Sequence, residues 1–284
     1  MIAALLFCCL FAACTPKNDV NEALKDTLKI EILKIGKADC SIITDGTTSI
    51  VVDCGEEDDG AEISAAMDAL GISSIDYLII THYDKDHIGG APTLLKKYKV
   101  SKLLEPDYTP VDTTAYAYVS YRNALTEAEA NGKCGSTEAV SDSVDLTVSD
   151  IKLNIVGTFG KDYAKNQDNN DSLVVSLEHL GNSFLFAGDI EKQRIADMLS
   201  QGRVQPCDFL KVPHHGSTTS SSLGFLEAVS PEYAIISVGK GNSYGHPDYD
   251  TIQKLKQVNA EIYRTDELGT INIVFSANDI KITY

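Results

Sequence analysis

Residues 82–87 read His-Tyr-Asp-Lys-Asp-His. Four potential metal ligands, His82, Asp84, Asp86 and His87, fall within six positions. They directly follow an apolar run, Tyr77 to Ile80, and precede Gly89-Gly90. Imidazole nitrogen and carboxylate oxygen suit divalent cations. Packed on one turn with no cation between them, these donors would repel or waste buried polarity. Three later segments repeat the same order of apolar run, then ligand. "FLFAGDI" ends in Asp189, "LKVPHHGS" in His214, His215 and Ser217, and "ISVGKGNSYGHP" brings Lys240 and His246. Taken singly, Asp189 reads equally as a helix N-cap, and His246 as a solvated loop histidine.

Such residues need a scaffold that brings distant loops together. β-like runs open the chain at 28–35, 40–44 and 49–52, with Asp45-Gly46 as a hairpin signal. Helical stretches are predicted at 61–70, 91–98, 115–130, 191–199, 221–228 and 249–258. Strands are predicted at 77–80, 99–104, 151–156, 172–177, 183–186, 209–212, 233–238, 261–263, 270–275 and 280–284. Residues 105–149 are the least patterned. Strands alternating with helices predict an α/β sandwich, sheets inside and helices outside. Placing ligands at the carboxyl ends of strands lets several loops share one crevice. No linker follows residue 27, so residues 28–284 read as one domain.

The 284 residues carry a formal charge of −17. That disfavours tight, non-specific nucleic-acid binding, which depends on clustered Lys and Arg. Met1 to Ala13 is uncharged and too short to span a bilayer, which takes about 20 apolar residues. It matches a secretory signal core, and "FAAC" places Cys14 as a lipidation site after a lipobox-like sequence. Residues 1–27 are then leader and tether, and the expected location is the outer face of the cell membrane, lipid-anchored, or alternatively the secreted fraction. Seven cysteines are present and none forms a C-x-x-C pair, which argues against a cysteine zinc site.

The motifs together resemble the metallo-β-lactamase superfamily, whose H-x-H-x-D-H signature appears here with Asp84 replacing the second His. Within that superfamily they are similar to the hydrolase domain of ComEC-type competence proteins: "HYDKDHIGG", "NDSLV", "AGDI", "LKVPHHGS" and "YGHP" match in order, and "GKADC" and "VVDCG" match nearer the start. A looser likeness is to the phosphorylcholine esterase of bacterial cell surfaces. The departures are Ala38 for Gly and Ala187 for Thr.

This resemblance implies a four-layer αββα sandwich and a metal-dependent hydrolase holding two divalent ions, zinc or manganese. His82, Asp84 and one histidine of the His214–His215 pair, taken as His215, are expected on one ion, and Asp86, His87 and His246 on the other, with Asp189 bridging. Asp86 and His214 are the expected catalytic residues, His214 protonating the leaving oxygen while a metal-bridging hydroxide attacks. Ser217, Lys240 and Asn170 are expected on the substrate, which would be a phosphodiester in nucleic acid, a nucleotide or the cell envelope. Two alternatives stand beside this reading. One is hydrolysis of a lactam, lactone or thioester on the same fold; the other is a non-catalytic surface-binding protein stabilised by metal.

Overall fold

Alternating apolar residues decide the architecture, because successive side chains of a strand point to opposite faces. In a computed structural model, which describes residues 27–161, 163, 167–277 and 279–284, the strands numbered β1–β15 in chain order build two sheets. Cys14 and the expected leader lie outside the described residues.

The first sheet has eight strands among the described residues, in the order β15-β14-β1-β2-β3-β4-β5-β6. These are β15 (Asp279–Thr283), β14 (Ile271–Ser276), β1 (Thr27–Ile32), β2 (Ser41–Thr44), β3 (Ser49–Val52), β4 (Ser74–Ile79), β5 (Lys99–Pro106) and β6 (Thr137–Val140). The second has seven, in the order β13-β12-β11-β10-β9-β8-β7. They are β13 (Glu261–Arg264), β12 (Tyr233–Ile236), β11 (Phe209–Lys211), β10 (Asn182–Phe186), β9 (Val174–His179), β8 (Ile151–Val156) and β7 (Ser143–Val148).

The two faces of each strand feed different cores. Ile43, Ile50, Val52, Ile79 and Leu104 point inward and meet Val175, Leu177, Phe184, Phe186 and Phe209 between the sheets. Their neighbours Ile42, Val51, Leu78 and Leu103 point outward onto Ile63, Met67, Leu94, Leu95, Tyr121 and Leu125. Those partners belong to helices Gly60–Ala69, Ala91–Lys97 and Tyr116–Ala130. On the second sheet, Leu185, Leu210, Ala234 and Ile236 face Ile195, Met198, Phe225, Leu226 and Leu255. These come from helices Lys192–Ser200, Leu223–Val229 and Tyr249–Gln257. The result is the expected four-layer αββα sandwich.

Parallel pairing sets the direction of the loops. β3, β4, β5 and β6 run parallel, as do β10, β11, β12 and β13. Their carboxyl ends carry Asp53, His82, Asp189, His214, His215 and His246. The Asp45-Gly46 hairpin forms between β2 and β3, with Asp45 Oδ1 accepting from Thr47 N at 2.8 Å. β6 and β7 were not legible in the 105–149 stretch. Both are edge strands, and β7 has no fully buried residue.

Candidate metal centre

The loop after β4 is held by the loop after β3. Asp53, at a left-handed φ of 61°, directs its carboxylate at three partners. Its Oδ1 accepts from Thr81 N at 2.8 Å, its Oδ2 from Thr81 Oγ1 at 2.8 Å, and His87 Nδ1 lies 2.7 Å from Oδ2. Thr81 Oγ1 is also 3.1 Å from His82 Nδ1. Both imidazoles are thereby fixed through Nδ1, leaving Nε2 to face inward.

Gly89 and Gly90 make this packing possible. A Cβ on Gly90 would stand 2.2 Å from the Cys54 carbonyl oxygen, and one on Gly89 2.5 Å from Glu57 N. The paired glycines therefore let the short helix Lys85–Ile88 press onto the loop after β3.

The second sheet supplies the facing half. Asp189 follows β10, and Gly188 before it has φ +53° and no room for a Cβ beside Ser172. After β11, His214 and His215 are consecutive left-handed residues, at φ 50° and 52°. Such conformations cost on the order of 1–3 kcal/mol each and cluster at functional sites. Here they turn two adjacent imidazoles toward one space. His215 Nδ1 lies 3.0 Å from the Ser237 carbonyl, so its Nε2 faces Asp86 Oδ2 at 3.7 Å and Asp189 Oδ2 at 3.8 Å.

Besides Asp39 with Asp53 and His87, two compact donor groups result among the described residues: His82 with His87 and Asp189, and Asp86 with His87 and His215. Within each, donor atoms lie within 4.8 Å of one another. His82 Nε2, His87 Nε2, His215 Nε2 and Asp189 Oδ1 are buried and make no hydrogen bond, although His87 Nε2 and Asp189 Oδ1 lie 3.5 Å apart as an ion pair. Four orphaned donors of this kind are costly unless a cation satisfies them. Nitrogen and oxygen donors together suit a divalent ion, so the residues present fit the implied metal.

The same contacts shift the proton affinities of these groups. Burial, with His87 nearby, pushes the His82 pKa down to about 4. Burial also opposes charge on His87, yet Asp189 and Asp53 outweigh it and hold that pKa well above its ordinary value. Asp189 is buried too, but His87 and His215 keep its pKa well below the carboxylate range. Loss of solvent, then the Asp86 and Asp189 carboxylates, lifts Asp84 to about 6.

The remaining expected residues fall into two sets. Asp84, His214 and His246 line the same cavity of about 370 Å³ as Asp86, Asp189 and His215. Asp84 Oδ2 is 3.8 Å from His82 Nε2, and His214 Nε2 is 4.0 Å from Asp189 Oδ2. His246 stands beside His214, ring centroids 5.8 Å apart, outside both donor groups. The geometry brings His215 together with Asp86 and His87, whereas His82 and Asp84 stand near each other. The reason is the Ser237 hydrogen bond of His215, which aims it across the site.

Asn170, Ser217 and Lys240 lie apart from the cavity lining. Asn170 is buried, and its Oδ1 accepts from Glu191 N at 3.0 Å and Arg194 N at 3.2 Å, capping helix Lys192–Ser200. That places its Oδ1 at a helix end. It also replaces Asp189 as the cap. Ser217 bonds Thr219 Oγ1 at 2.9 Å, and Lys240 is exposed.

Sequence reasoning passed over the supporting residues. Asp53 and Asp39 sit in the noted "VVDCG" and "GKADC" segments. Asp39 forms a buried ion pair with Lys211 at 2.7 Å, and its Oδ1 lies 3.7 Å from His215 Nδ1. Glu191 Oε1 lies 3.3 Å from His214 Nδ1. Their only signal was proximity in sequence to a motif.

Residues 34–240 match the family model described as "Metallo-beta-lactamase superfamily", and the chain belongs to that superfamily. Among curated proteins it is 35% identical over 206 residues to ComE operon protein 3 of Bacillus subtilis, covering 72% of this chain and 25% of that protein. It is 26% identical to Recombination protein 2 of Haemophilus influenzae, over 91% of this chain and 30% of that one. The chain therefore spans about a quarter to a third of these relatives. Among solved structures, the metallo-beta-lactamase fold protein YhfI of Bacillus subtilis aligns with TM-score 0.56 at 11% identity, covering 90% of this chain and all of that one. CmlA, a diiron β-hydroxylase of Streptomyces venezuelae, aligns with TM-score 0.55 at 16% identity, over 84% of this chain and 53% of that one. These two likenesses establish the fold alone. No helix among the described residues is long and apolar enough to cross a membrane.

Proposed function

We propose that this protein is a metal-dependent phosphodiesterase held at the outer face of the membrane through Cys14. The observation that carries the reading is the convergence of four orphaned donors, His82 Nε2, His87 Nε2, His215 Nε2 and Asp189 Oδ1, beside an open cavity. His82, Asp86, His87, Asp189 and His215 would hold two divalent ions, zinc or manganese, with Asp84 and His246 at the margin. Such ions supply Lewis acidity and a nucleophilic water at neutral pH.

The chain's own residues account for the rest. Lys37 and Lys85 line the cavity and offer positive charge to a phosphate. His214 Nε2 faces the cavity while Nδ1 rests against Glu191. Although burial lowers the His214 pKa, its bond to Glu191 outweighs this and the net shift is upward. The shift favours the protonated form of His214, which can deliver its proton from Nε2 to the departing oxygen. The motif likeness to ComEC-type domains supports a phosphodiester over a lactam.

The test is hydrolysis of bis(p-nitrophenyl) phosphate by protein loaded with manganese or zinc. Turnover is expected, and loss of it in Asp86→Ala and Asp189→Ala. Cleavage of nitrocefin with no turnover of any phosphodiester would sink the reading.

A further inference from the structure

The loop after β12 does more than deliver His246. Asn242 buckles it internally: Nδ2 donates to the His246 carbonyl at 2.6 Å and to the Gly239 carbonyl at 2.9 Å. Its Oδ1 accepts from His246 N at 3.0 Å and Tyr244 N at 3.2 Å. One side chain thus ties both ends of the loop, and the tip it presents is Tyr244.

Tyr244 lines the metal cavity yet is 65% exposed. A large aromatic left this open on a pinned loop gives up hydrophobic burial that a freer loop could recover. Its ring runs nearly parallel to that of His246, with an interplanar angle of 13° and centroids 5.9 Å apart. Lys37 Nζ lies 5.4 Å from the Tyr244 centroid and also lines the cavity. A planar surface, a cation that also pairs with Glu56 at 3.3 Å, and Asp86, Asp189 and His215 of the donor groups therefore line one cavity.

We infer that Tyr244 is a specificity-determining residue, whose ring stacks a planar heterocycle carried next to the scissile phosphate, with Lys37 facing the phosphate charge. The inference rests on the phosphodiesterase reading and narrows it: a nucleotide unit fits this wall, a glycerol ester gains nothing from the ring, and a choline, which aromatic faces attract as a cation, would compete with Lys37, already 5.4 Å from the Tyr244 centroid. Aromatic stacking tolerates any base, because every base offers a π-face. The pinned loop keeps Tyr244 in place before binding, so little ordering cost is added. A single planar platform suits one nucleotide unit and makes no demand for the long basic track that tight, non-specific nucleic-acid binding relies on.

The test is calorimetric titration of the metal-loaded, full chain with thymidine 5′-monophosphate and with deoxyribose 5-phosphate, which differ only in the base. The nucleotide is expected to bind more tightly, by roughly 5- to 100-fold. Tyr244→Ala should erase that difference and leave deoxyribose phosphate binding unchanged, while Tyr244→Phe should keep most of it. Equal affinity of the two ligands for the native protein would overturn the inference. So would a nucleotide preference that persists in Tyr244→Ala. Binding of neither ligand alongside turnover of bis(p-nitrophenyl) phosphate overturns the inference and leaves the phosphodiesterase reading standing. Neither binding nor turnover overturns both.

Discussion

Asp53 Oδ2 and His87 Nδ1 stand 2.7 Å apart, both sealed from solvent. The carboxylate sits on one loop and the imidazole on the next, so the contact fixes two loops and one ring orientation at once. Asp53→Asn keeps the shape, and Asn tolerates a left-handed φ of 61°. The change should leave folding intact but weaken metal affinity by about 10- to 100-fold, the usual loss for such outer partners. Competition against a chromogenic chelator would measure it. Unchanged affinity would show that His87 is oriented by other means.

Metal binding should be coupled to proton release. Ligand imidazoles must be neutral, and metal-free His87 holds its proton because Asp189 and Asp53 outweigh its burial. His82, lowered to about 4, has no proton to give at pH 7. Affinity therefore falls as pH drops, because protons compete at His87, and the His82 site contributes to this only near pH 4. Titrations in buffers of different ionisation enthalpy should give heats that depend on the buffer. The dependence should shrink in His87→Ala and persist in His82→Ala.

Asn170 offers a test that separates structure from catalysis. Asn170→Ala strands the Glu191 and Arg194 amides that its Oδ1 now satisfies. A loss of about 1–2 kcal/mol is expected, read as a lower urea midpoint. Asn170→Asp, which keeps an acceptor, should recover most of it. KM for a phosphodiester should stay level in both, since the side chain is not in the cavity wall.

The buried Asp39–Lys211 pair should show strong coupling. Lys211→Met leaves a carboxylate buried without its cation, a loss of about 3–5 kcal/mol. Adding Asp39→Asn removes the orphaned charge and should restore a large part of that stability. Additive losses in thermal unfolding would mean the two residues act separately.

Two glycines should respond in opposite directions. Gly90→Ala drives a methyl onto the Cys54 carbonyl, and a loss of about 3 kcal/mol or insoluble expression is expected. Gly224 lies in helix Leu223–Val229 with open space at its Cβ position. Gly224→Ala should raise stability by about 0.4–1 kcal/mol.

Much of this was legible in the sequence, for identifiable reasons. His82 to His87 stood out because four ligands followed an apolar run. Asp189 and His214–His215 gained meaning from repeating that order. Ligand pairing was not legible, because it depends on which way His215 is turned by the Ser237 carbonyl, 22 residues away. Nor was the role of Asn170, since a side chain that caps a helix starting beyond β10 leaves no local trace. Strand β6 escaped notice because an edge strand of four residues buries little. Asp39 and Lys211 are 172 positions apart, and no spacing rule spans that distance.

The pairing of β1 with β14 has a consequence for the protein's birth. Among the described strands, β1 is translated before all others, yet one of its two neighbours is β14. His82 and His87 emerge long before His215, and the sheet that carries them is unfinished until β14 and β15 arrive. The donors that converge on one site are thus spread from His82 to His246, and the sheet carrying the earliest of them gains its β1 neighbour β14 only after the last of them has been made.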